Sequence, residues 1–337
     1  MTLEEKLKAF SDLGTRLRNL DPAEVEEISL KAASKNRWFT PENIKLSLEG
    51  IIAYLQEESL TKWVKPYEFT ESTPLRIGIV MAGNIPLVGF HDFLTVLMSN
   101  HIVVAKLSSQ DPYLLPYVVR MLIAIEPAFA SRIEFVDLLT KMDAVIATGS
   151  DNSARYFHYY FGKIPHIIRK NRSSCGIIDG KENEGDYHQL GKDIFQYYGL
   201  GCRNISKVFV PEGYDFSPFL KALRHYKNIL EHNKYQNNYD YNKSIYLVNR
   251  VPHLDTEFLL LTEETALVSP ISVLFYEYYA DQEALAARLK ALEEKLQVIA
   301  SSAGWFRNSV PFGTVQKPAL WDYADGVDTM QFLLNLR

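Results

Sequence analysis

The chain has few cysteines and no long apolar run, and these absences exclude several classes of protein. Its 337 residues include only two cysteines, which cannot form a disulfide framework or a cysteine-rich zinc site. No apolar run reaches the ~18 residues that a membrane-spanning helix needs. The eight histidines show no metal-ligand spacing, so we expect no metal site. A formal net charge of -5 gives no reason to expect nucleic-acid binding.

The start of the chain also lacks the pattern of a signal peptide. Residues 1–6 are amphipathic and acidic, and with so few cysteines they favour a reducing cytoplasm. The two standard fingerprints of nucleotide binding, Gly-x-Gly-x-x-Gly and the Walker A sequence, do not occur. Any nucleotide site must therefore be built in another way.

An alternation of strand and helix patterns follows about seventy residues of helical pattern. The predicted strands of the first half cover 75–80, 101–107, 133–136 and 144–147. Those of the second half cover 207–210, 245–248, 271–276 and 298–300, and a strong helical pattern covers 282–296. This alternation predicts an α/β protein in which helices cover both faces of parallel sheets.

Polar or glycine-bearing turns follow three strands of the first half, where parallel α/β sheets bind ligands. The residues concerned are Asn84, then Lys106, Ser108 and Ser109, then Thr148, Gly149 and Ser150. An asparagine amide at a strand tip can donate to a developing oxyanion, and a cation with hydroxyls suits a ribose or a phosphate. A helix start attracts anions. Each turn alone has an ordinary alternative, an Asx turn or a solvated loop.

Cys202 lies between glycines and an Arg-Asn pair, immediately before a β-branched run. A thiol in such a loop can be presented to a substrate and can react as a thiolate. The alternative is a buried cysteine that packs as a small apolar side chain. The other motifs in the chain favour the interpretation of Cys202 as a nucleophile over that of a buried apolar residue.

In this order, the motifs resemble the aldehyde dehydrogenase superfamily, and most closely its LuxC-like acyl-CoA reductase branch. The matching segments are 83–92 with 97–112, 148–150, 198–202, 310–313 with 316–318, and 322–329. The resemblance implies two doubly wound α/β domains after a helical N-terminal segment at 1–70. It assigns 71–198 with 303–337 to a nucleotide-binding domain and 199–302 to a catalytic thiol domain.

The resemblance also implies roles for single residues. Cys202 matches the nucleophile, and Asn84 matches a donor to the oxyanion. Residues 148–150 match a turn near the nicotinamide and the pyrophosphate. Glu264 matches a glutamate that binds the nicotinamide ribose, although an exposed acidic pair is the alternative for Glu263 and Glu264. The implied substrate is an acyl thioester of coenzyme A or acyl carrier protein, and a homodimer is consistent with the superfamily.

Two departures from the superfamily pattern refine this hypothesis. Hydrolytic members carry a Glu-Leu-Gly-Gly segment that activates water, whereas the matching residues 168–175 have no carboxylate, which fits a reductase. The cations there, Arg169, Lys170 and Arg172, are predicted to hold coenzyme phosphates or to form a solvated cluster. Ser109 stands where NAD-using relatives have a glutamate, and this favours NADPH over NADH.

Three alternatives remain at this level. A semialdehyde or acyl-phosphate reductase of the same superfamily would use the same thiol with a short anionic substrate. A non-catalytic relative would bind an acyl or nucleotide partner without turnover. A generic α/β nucleotide-binding protein would not need Cys202 at all.

Overall fold

The structure is a computed structural model that describes residues 1–70 and 73–336. The chain divides into two compact units, Met1–Asn171 with Ala319–Arg337, and Arg172–Pro318. These boundaries differ from the predicted ones at 198 and 303, because the strand and helix after residue 172 pair and pack with the second unit. The predicted domain start at residue 71 lies outside the described residues.

The first seventy residues form four helices, as the spacing of apolar residues predicts. The helices are α1 (Leu3–Arg18), α2 (Pro22–Lys35), α3 (Pro41–Tyr54) and α4 (Glu57–Val64). Thr2, Asp21 and Thr40 begin the first three, because each side chain accepts a hydrogen bond from a backbone N–H of the first turn. None of the helices among the described residues is long and apolar enough to cross a membrane.

The first unit continues as a five-stranded parallel sheet. In chain order its elements are β1 (Arg76–Val80), α5 (Phe90–Met98), β2 (Ile102–Lys106), α6 (Leu114–Ile125), β3 (Ile133–Phe135), β4 (Ala144–Thr148), α7 (Asp151–Phe161) and β5 (His166–Arg169). The strand order is β3-β2-β1-β4-β5. The order reverses direction between β1 and β4, and ligands bind at such switch points in open α/β sheets.

The N-terminal helices and this sheet share one hydrophobic core. Phe10 and Leu13 of α1, Phe93 of α5 and Phe129 are fully buried in the same cluster. The rings of Phe10 and Phe129 lie 5.4 Å apart between centroids, edge to face. The helical N-terminal segment is therefore part of the first unit and not a separate domain.

The second unit contains a seven-stranded sheet. Its elements are β6 (Ser173–Ile177), α8 (Glu184–Phe195), β7 (Ile205–Pro211), α9 (Ser217–Leu223), α10 (Asn233–Val248), β8 (Leu254–Asp255), β9 (Leu260–Glu263), β10 (Val273–Tyr279), α11 (Gln282–Leu292), β11 (Leu296–Ser301) and β12 (Val310–Pro311). The order is β12-β11-β6-β7-β10-β9-β8, and only the β8–β9 pair is antiparallel.

Two sequence predictions fail in this unit. The predicted strand at 245–248 is the last turn of α10, where Leu247 and Val248 are exposed. The helix that starts at Asn233 continues through the apolar run, so local β propensity does not decide its structure. The helix predicted over 282–296 ends at Leu292, because Leu296 starts β11 and pairs with β6.

The chain returns to the first unit at Ala319 and ends in α12 (Thr329–Leu334). Trp63 Nε1 donates to the Tyr323 hydroxyl at 2.7 Å. The hydroxyls of Tyr323 and Tyr67 lie 2.8 Å apart, and Tyr67 donates to Asp328 at 2.8 Å. This chain of hydrogen bonds ties the C-terminal segment to α4 of the N-terminal segment.

Replacing Tyr323 by phenylalanine should therefore destabilise the first unit. The buried Trp63 N–H would lose its acceptor, and such a loss costs about 1–3 kcal/mol in the free energy of unfolding. Urea unfolding measures the change. Tyr160→Phe is the matched control, because Tyr160 is exposed and its variant should stay within about 0.5 kcal/mol of wild type. Equal effects of the two changes would contradict the buried network.

Candidate active site

Three turns meet at the carboxyl edge of the first sheet. β1 lies between β2 and β4, and Val80 at its end pairs with both Lys106 and Ala147. Because the three strands are parallel, the turns that follow them lie along the same edge, as the sequence analysis predicts. What these turns bind stays a prediction.

The turn after β1 carries Asn84, which is exposed. A Cβ atom on Gly83 would lie 2.3 Å from Ser108 Oγ, so this turn packs directly on the turn after β2. The Gly83 carbonyl accepts from Asn36 Nδ2 at 3.1 Å. The Asn84 amide is therefore presented on a turn whose backbone is held from two sides.

The buried side chain of Asp111 connects the turns after β1 and β2 through hydrogen bonds. Its carboxylate accepts from the backbone N–H of Leu87 at 3.0 Å and of Leu114 at 3.4 Å. Burial raises the pKa of Asp111, and these N–H groups oppose the shift. Sequence reasoning missed both Asn36 and Asp111, because their partners are backbone groups that the sequence does not reveal.

The other two turns are only partly available to a ligand. Lys106 and Ser109 are exposed. Ser108 Oγ accepts the Gln110 N–H at 3.2 Å and so shapes its own turn. The Gly149 N–H donates to Arg169 O at 3.3 Å.

The side chain of Ser150 begins helix α7. It accepts from the Ser153 N–H at 3.2 Å, so it acts as the helix cap. Thr148 is half-buried at the end of β4. A Cβ atom on Gly149 would lie 2.8 Å from Ser153 Cβ, so this glycine lets the turn lie close to α7.

The three cations predicted to bind phosphates have different surroundings. Arg169 is 5% exposed, and it donates to Asp92 at 2.6 Å and to Thr329 at 2.9 Å. Its charge is thus compensated inside the first unit, so Arg169 is not part of a solvated cluster, and its binding to a coenzyme phosphate stays a prediction. Arg172 is half-buried and donates to Leu296 O at 3.0 Å. Lys170 is exposed, so it alone of the three fits the prediction of a solvated cation.

Cys202 lies in the loop between α8 and β7 and is exposed, whereas Cys175 is buried. Burial raises the pKa of the Cys175 thiol to about 12, so it stays protonated at neutral pH. Of the two cysteines, only Cys202 is therefore accessible to a substrate.

The loop that carries Cys202 has an unusual backbone. Tyr197 and Tyr198 have φ values of 54° and 59°, and Gly199 and Gly201 have 79° and 98°. Two consecutive non-glycine residues in the left-handed region cost of order 1–3 kcal/mol each, and such strain concentrates at functional sites. The Tyr198 and His232 rings, 4.2 Å apart between centroids, pack on one side of this loop.

Hydrogen bonds hold the nucleophile loop, residues 199–204, to neighbouring elements of the second unit. Ser174 Oγ of β6 donates to Cys202 O at 3.0 Å, and the Ser174 N–H donates to Asn204 O at 3.2 Å. Arg203 donates to Val315 O at 3.2 Å. The segment that lacks the carboxylate thus lies beside the nucleophile loop and presents a serine to it.

Glu264 lies away from Cys202 within the second sheet. It follows the carboxyl end of β9, whereas Cys202 precedes the amino end of β7, and both strands are parallel to β10. The Glu264 carboxylate accepts from the backbone N–H groups of Thr265 and Ala266, which lower its pKa. These contacts agree with the alternative of an exposed acidic turn, and binding of the nicotinamide ribose by Glu264 stays a prediction.

The family model for acyl-CoA reductase (LuxC) matches residues 5–229, which is more than half of the chain. The protein belongs to the LuxC acyl-CoA reductase family. No curated protein matches the chain.

Solved structures give the fold of this LuxC family member. A putative aldehyde dehydrogenase from Burkholderia cenocepacia matches with a TM-score of 0.66 at 14% identity, over 89% of this chain and 74% of that one. An NAD⁺ complex of aldehyde dehydrogenase from Bacillus cereus matches with a TM-score of 0.63 at 15% identity, over 91% of this chain and 72% of that one. An acetylating aldehyde dehydrogenase from Geobacillus thermoglucosidasius matches with a TM-score of 0.62 at 12% identity, over 89% of this chain and 76% of that one. The fold is thus that of the aldehyde dehydrogenases, as predicted.

Proposed function

We propose that the protein reduces an acyl thioester to an aldehyde through a thioester on Cys202, with hydride from NADPH. The observation that carries this proposal is the exposed Cys202 on a loop that follows the strained residues Tyr197 and Tyr198 and whose neighbour in β6 is a serine and not a carboxylate. Membership of the LuxC acyl-CoA reductase family supports it. A cytoplasmic location, proposed from the cysteine content, is compatible with a reactive thiol.

Acylation begins when the Cys202 sulfur attacks the thioester carbonyl carbon. The bond from that carbon to the carrier sulfur breaks, and the carrier leaves as a thiolate that takes up a proton. Because one carbon–sulfur bond replaces another, the exchange is nearly neutral and needs no strong general base. Because the segment 168–175, which contacts the loop through Ser174, carries no carboxylate to activate water, the acyl group on Cys202 is kept for reduction.

The residues of the first sheet edge fit a nicotinamide cofactor that carries a 2′-phosphate. Lys106 and Ser109 are exposed there, and the nearest carboxylate in the same loop, Asp111, is buried and turned to backbone N–H groups. The loop therefore presents no exposed carboxylate to the phosphate. NADPH, when bound, supplies the hydride that converts the acyl group to an aldehyde and releases Cys202 as a thiolate.

Asn84 is proposed to donate a hydrogen bond to the oxyanion that forms during acylation. Asn84→Ala should lower kcat by about 10²–10³-fold, because one preorganised donor is lost at the point where charge develops. Steady-state kinetics with a long-chain acyl-CoA measures this. Asn237→Ala, an exposed asparagine on α10, is the matched control and should leave kcat unchanged. A wild-type kcat in Asn84→Ala would show that Asn84 does not stabilise the oxyanion.

Ser109 is proposed to lie beside the 2′-phosphate of NADPH. Ser109→Glu should raise the Kd for NADPH about tenfold or more and change the Kd for NADH less, because a carboxylate repels the extra phosphate. Fluorescence titration measures both constants. Gln110→Glu adds the same charge one residue away and should have a smaller effect. Unchanged NADPH binding in Ser109→Glu would show that the phosphate lies elsewhere.

The substrate class is tested by comparing acyl donors. With NADPH, the purified protein should form aldehyde from long-chain acyl-CoA faster than from a short acidic acyl phosphate. Preference for the short acidic donor would favour the semialdehyde or acyl-phosphate reductase instead, and no turnover with any donor would favour a binding protein.

A further inference from the structure

A buried carboxylate in α8 holds a segment near the end of the second unit. Asp193 is 1% exposed, and its Oδ2 accepts the backbone N–H of Gly313 at 2.6 Å. The backbone N–H of Val315 also stabilises the charged form of this carboxylate. The segment 313–315 is thereby attached to a helix that lies 120 residues earlier in the chain.

The surroundings of Gly313 show that the segment 313–315 lies very near α8. A Cβ atom on Gly313 would lie 2.1 Å from Gln189 Oε1 of the same helix, and its φ is 82°. Only glycine combines this backbone conformation with so near an approach. The positive φ of Gly313 and its lack of a Cβ atom therefore both allow the segment to lie against α8.

The same segment contacts the nucleophile loop. Val315 is fully buried, and its carbonyl accepts from Arg203 Nη1 at 3.2 Å. Arg203 follows Cys202 directly in the chain. A continuous path of polar contacts thus runs from Asp193 through the backbone of 313–315 to the residue beside the thiol.

We propose that Asp193 is a positioning residue that holds the segment 313–315 in place, so that Val315 and Arg203 keep the nucleophile loop ordered. Asp193 does not touch the reacting atoms and acts through Arg203. The inference rests on the proposed role of Cys202, but the ordering of the loop is measured without any turnover.

The charge of Asp193 gives this role a pH signature. Burial raises the pKa of Asp193 to about 7, and the N–H groups of Gly313 and Val315 and the charges of Lys192 and Lys317 oppose the shift. Tyr226 also faces the carboxylate, and its pKa is raised by burial and by Asp193. The N–H groups of Gly313 and Val315 lower the pKa of Asp193, so the attachment of the segment is firmer when the carboxylate is charged, above about pH 7, than when it is protonated. Burial acts with the opposite sign on the whole chain: because it raises the pKa from 3.8 to about 7, the global stability that Asp193 contributes is greatest at low pH and falls as the pH rises through this range, so the pH signature is local to the segment.

Hydrogen exchange of backbone amides, followed by mass spectrometry of peptides, tests this inference. The chain is compared with Asp193→Asn, which keeps the shape of the side chain and removes its charge. At pH 8 the variant should exchange about tenfold faster in peptides covering 199–204 and 310–318, with no change in a peptide from α10. At pH 5.5 the two proteins should exchange alike. Glu184→Gln, an exposed change on the same helix, should match wild type at both pH values.

Several results would overturn the inference. Equal acceleration in all peptides would indicate general destabilisation, and acceleration that is the same at both pH values would indicate a role of shape alone. Asp193→Asn should add nothing in the 199–204 peptide when Arg203→Met is already present, because the two changes interrupt one path. Additive effects would show that Asp193 does not act through Arg203. If the exchange results hold but no acyl donor is reduced, the proposed function fails and the positioning role stands.

Discussion

Replacing Cys202 by alanine is expected to lower aldehyde formation from acyl-CoA by on the order of 10⁴-fold or more. The sulfur accepts the acyl group in the proposed mechanism, and removing a covalent nucleophile leaves only the contribution of substrate binding. Steady-state assays of NADPH consumption and of aldehyde product measure the loss. Thermal unfolding should be close to wild type, because Cys202 is exposed.

Cys175→Ala is the matched control for this change. Cys175 is buried in β6 and stays protonated, so it cannot replace Cys202 as the nucleophile. Its variant should keep wild-type activity per folded molecule, with a loss of about 1 kcal/mol in stability from the small cavity. If Cys202→Ala kept a tenth or more of wild-type activity, Cys202 could not be the nucleophile.

The largest loss of stability is expected from Asp92→Ala. Asp92 pairs with Arg169 at 2.6 Å, and the two side chains are only 10% and 6% exposed. Removing one partner of a buried ion pair leaves an uncompensated charge in the interior, which costs about 3–5 kcal/mol in the free energy of unfolding. Urea unfolding of the full chain measures this difference.

An exposed ion pair in the same unit is the control. Arg76 and Glu134 lie 2.7 Å apart, but their side chains are 37% and 44% exposed. Glu134→Ala should therefore cost less than about 1 kcal/mol. Replacing both Asp92 and Arg169 by leucine should recover part of the loss, since no buried charge then remains. A small effect of Asp92→Ala would instead mean that water reaches Arg169.

The sequence predicts best those elements that have their own local signal. The apolar residues 102–105 lie in β2, which pairs with β1 and β3 in a parallel sheet, and apolar residues three and four apart form the buried face of α1. The run at 245–248 has the same apolar character, but the helix before it extends through it. Short apolar runs do not distinguish a strand from the end of a helix.

The surroundings of the predicted site residues depend on contacts that are distant in the chain. Arg169 pairs with Asp92, which lies 77 residues away, and Asp193 binds a backbone group 120 residues away. No spacing rule reveals such partners, so a cation in a loop motif is easily taken for a ligand-binding residue. Cys202 is different, because two glycines just before it and the polar pair Arg203-Asn204 just after it are a local sign of an exposed loop.

Acylation of Cys202 is tested most directly by the intact mass of the protein. Wild-type protein and Cys202→Ala are incubated with a long-chain acyl-CoA in the absence of a nicotinamide cofactor. Wild type should gain the mass of one acyl group, located on Cys202 by peptide mapping and lost when NADPH is added, and the variant should gain none. A wild-type protein that stays unmodified, or that carries the acyl group on another residue, would contradict the thioester mechanism.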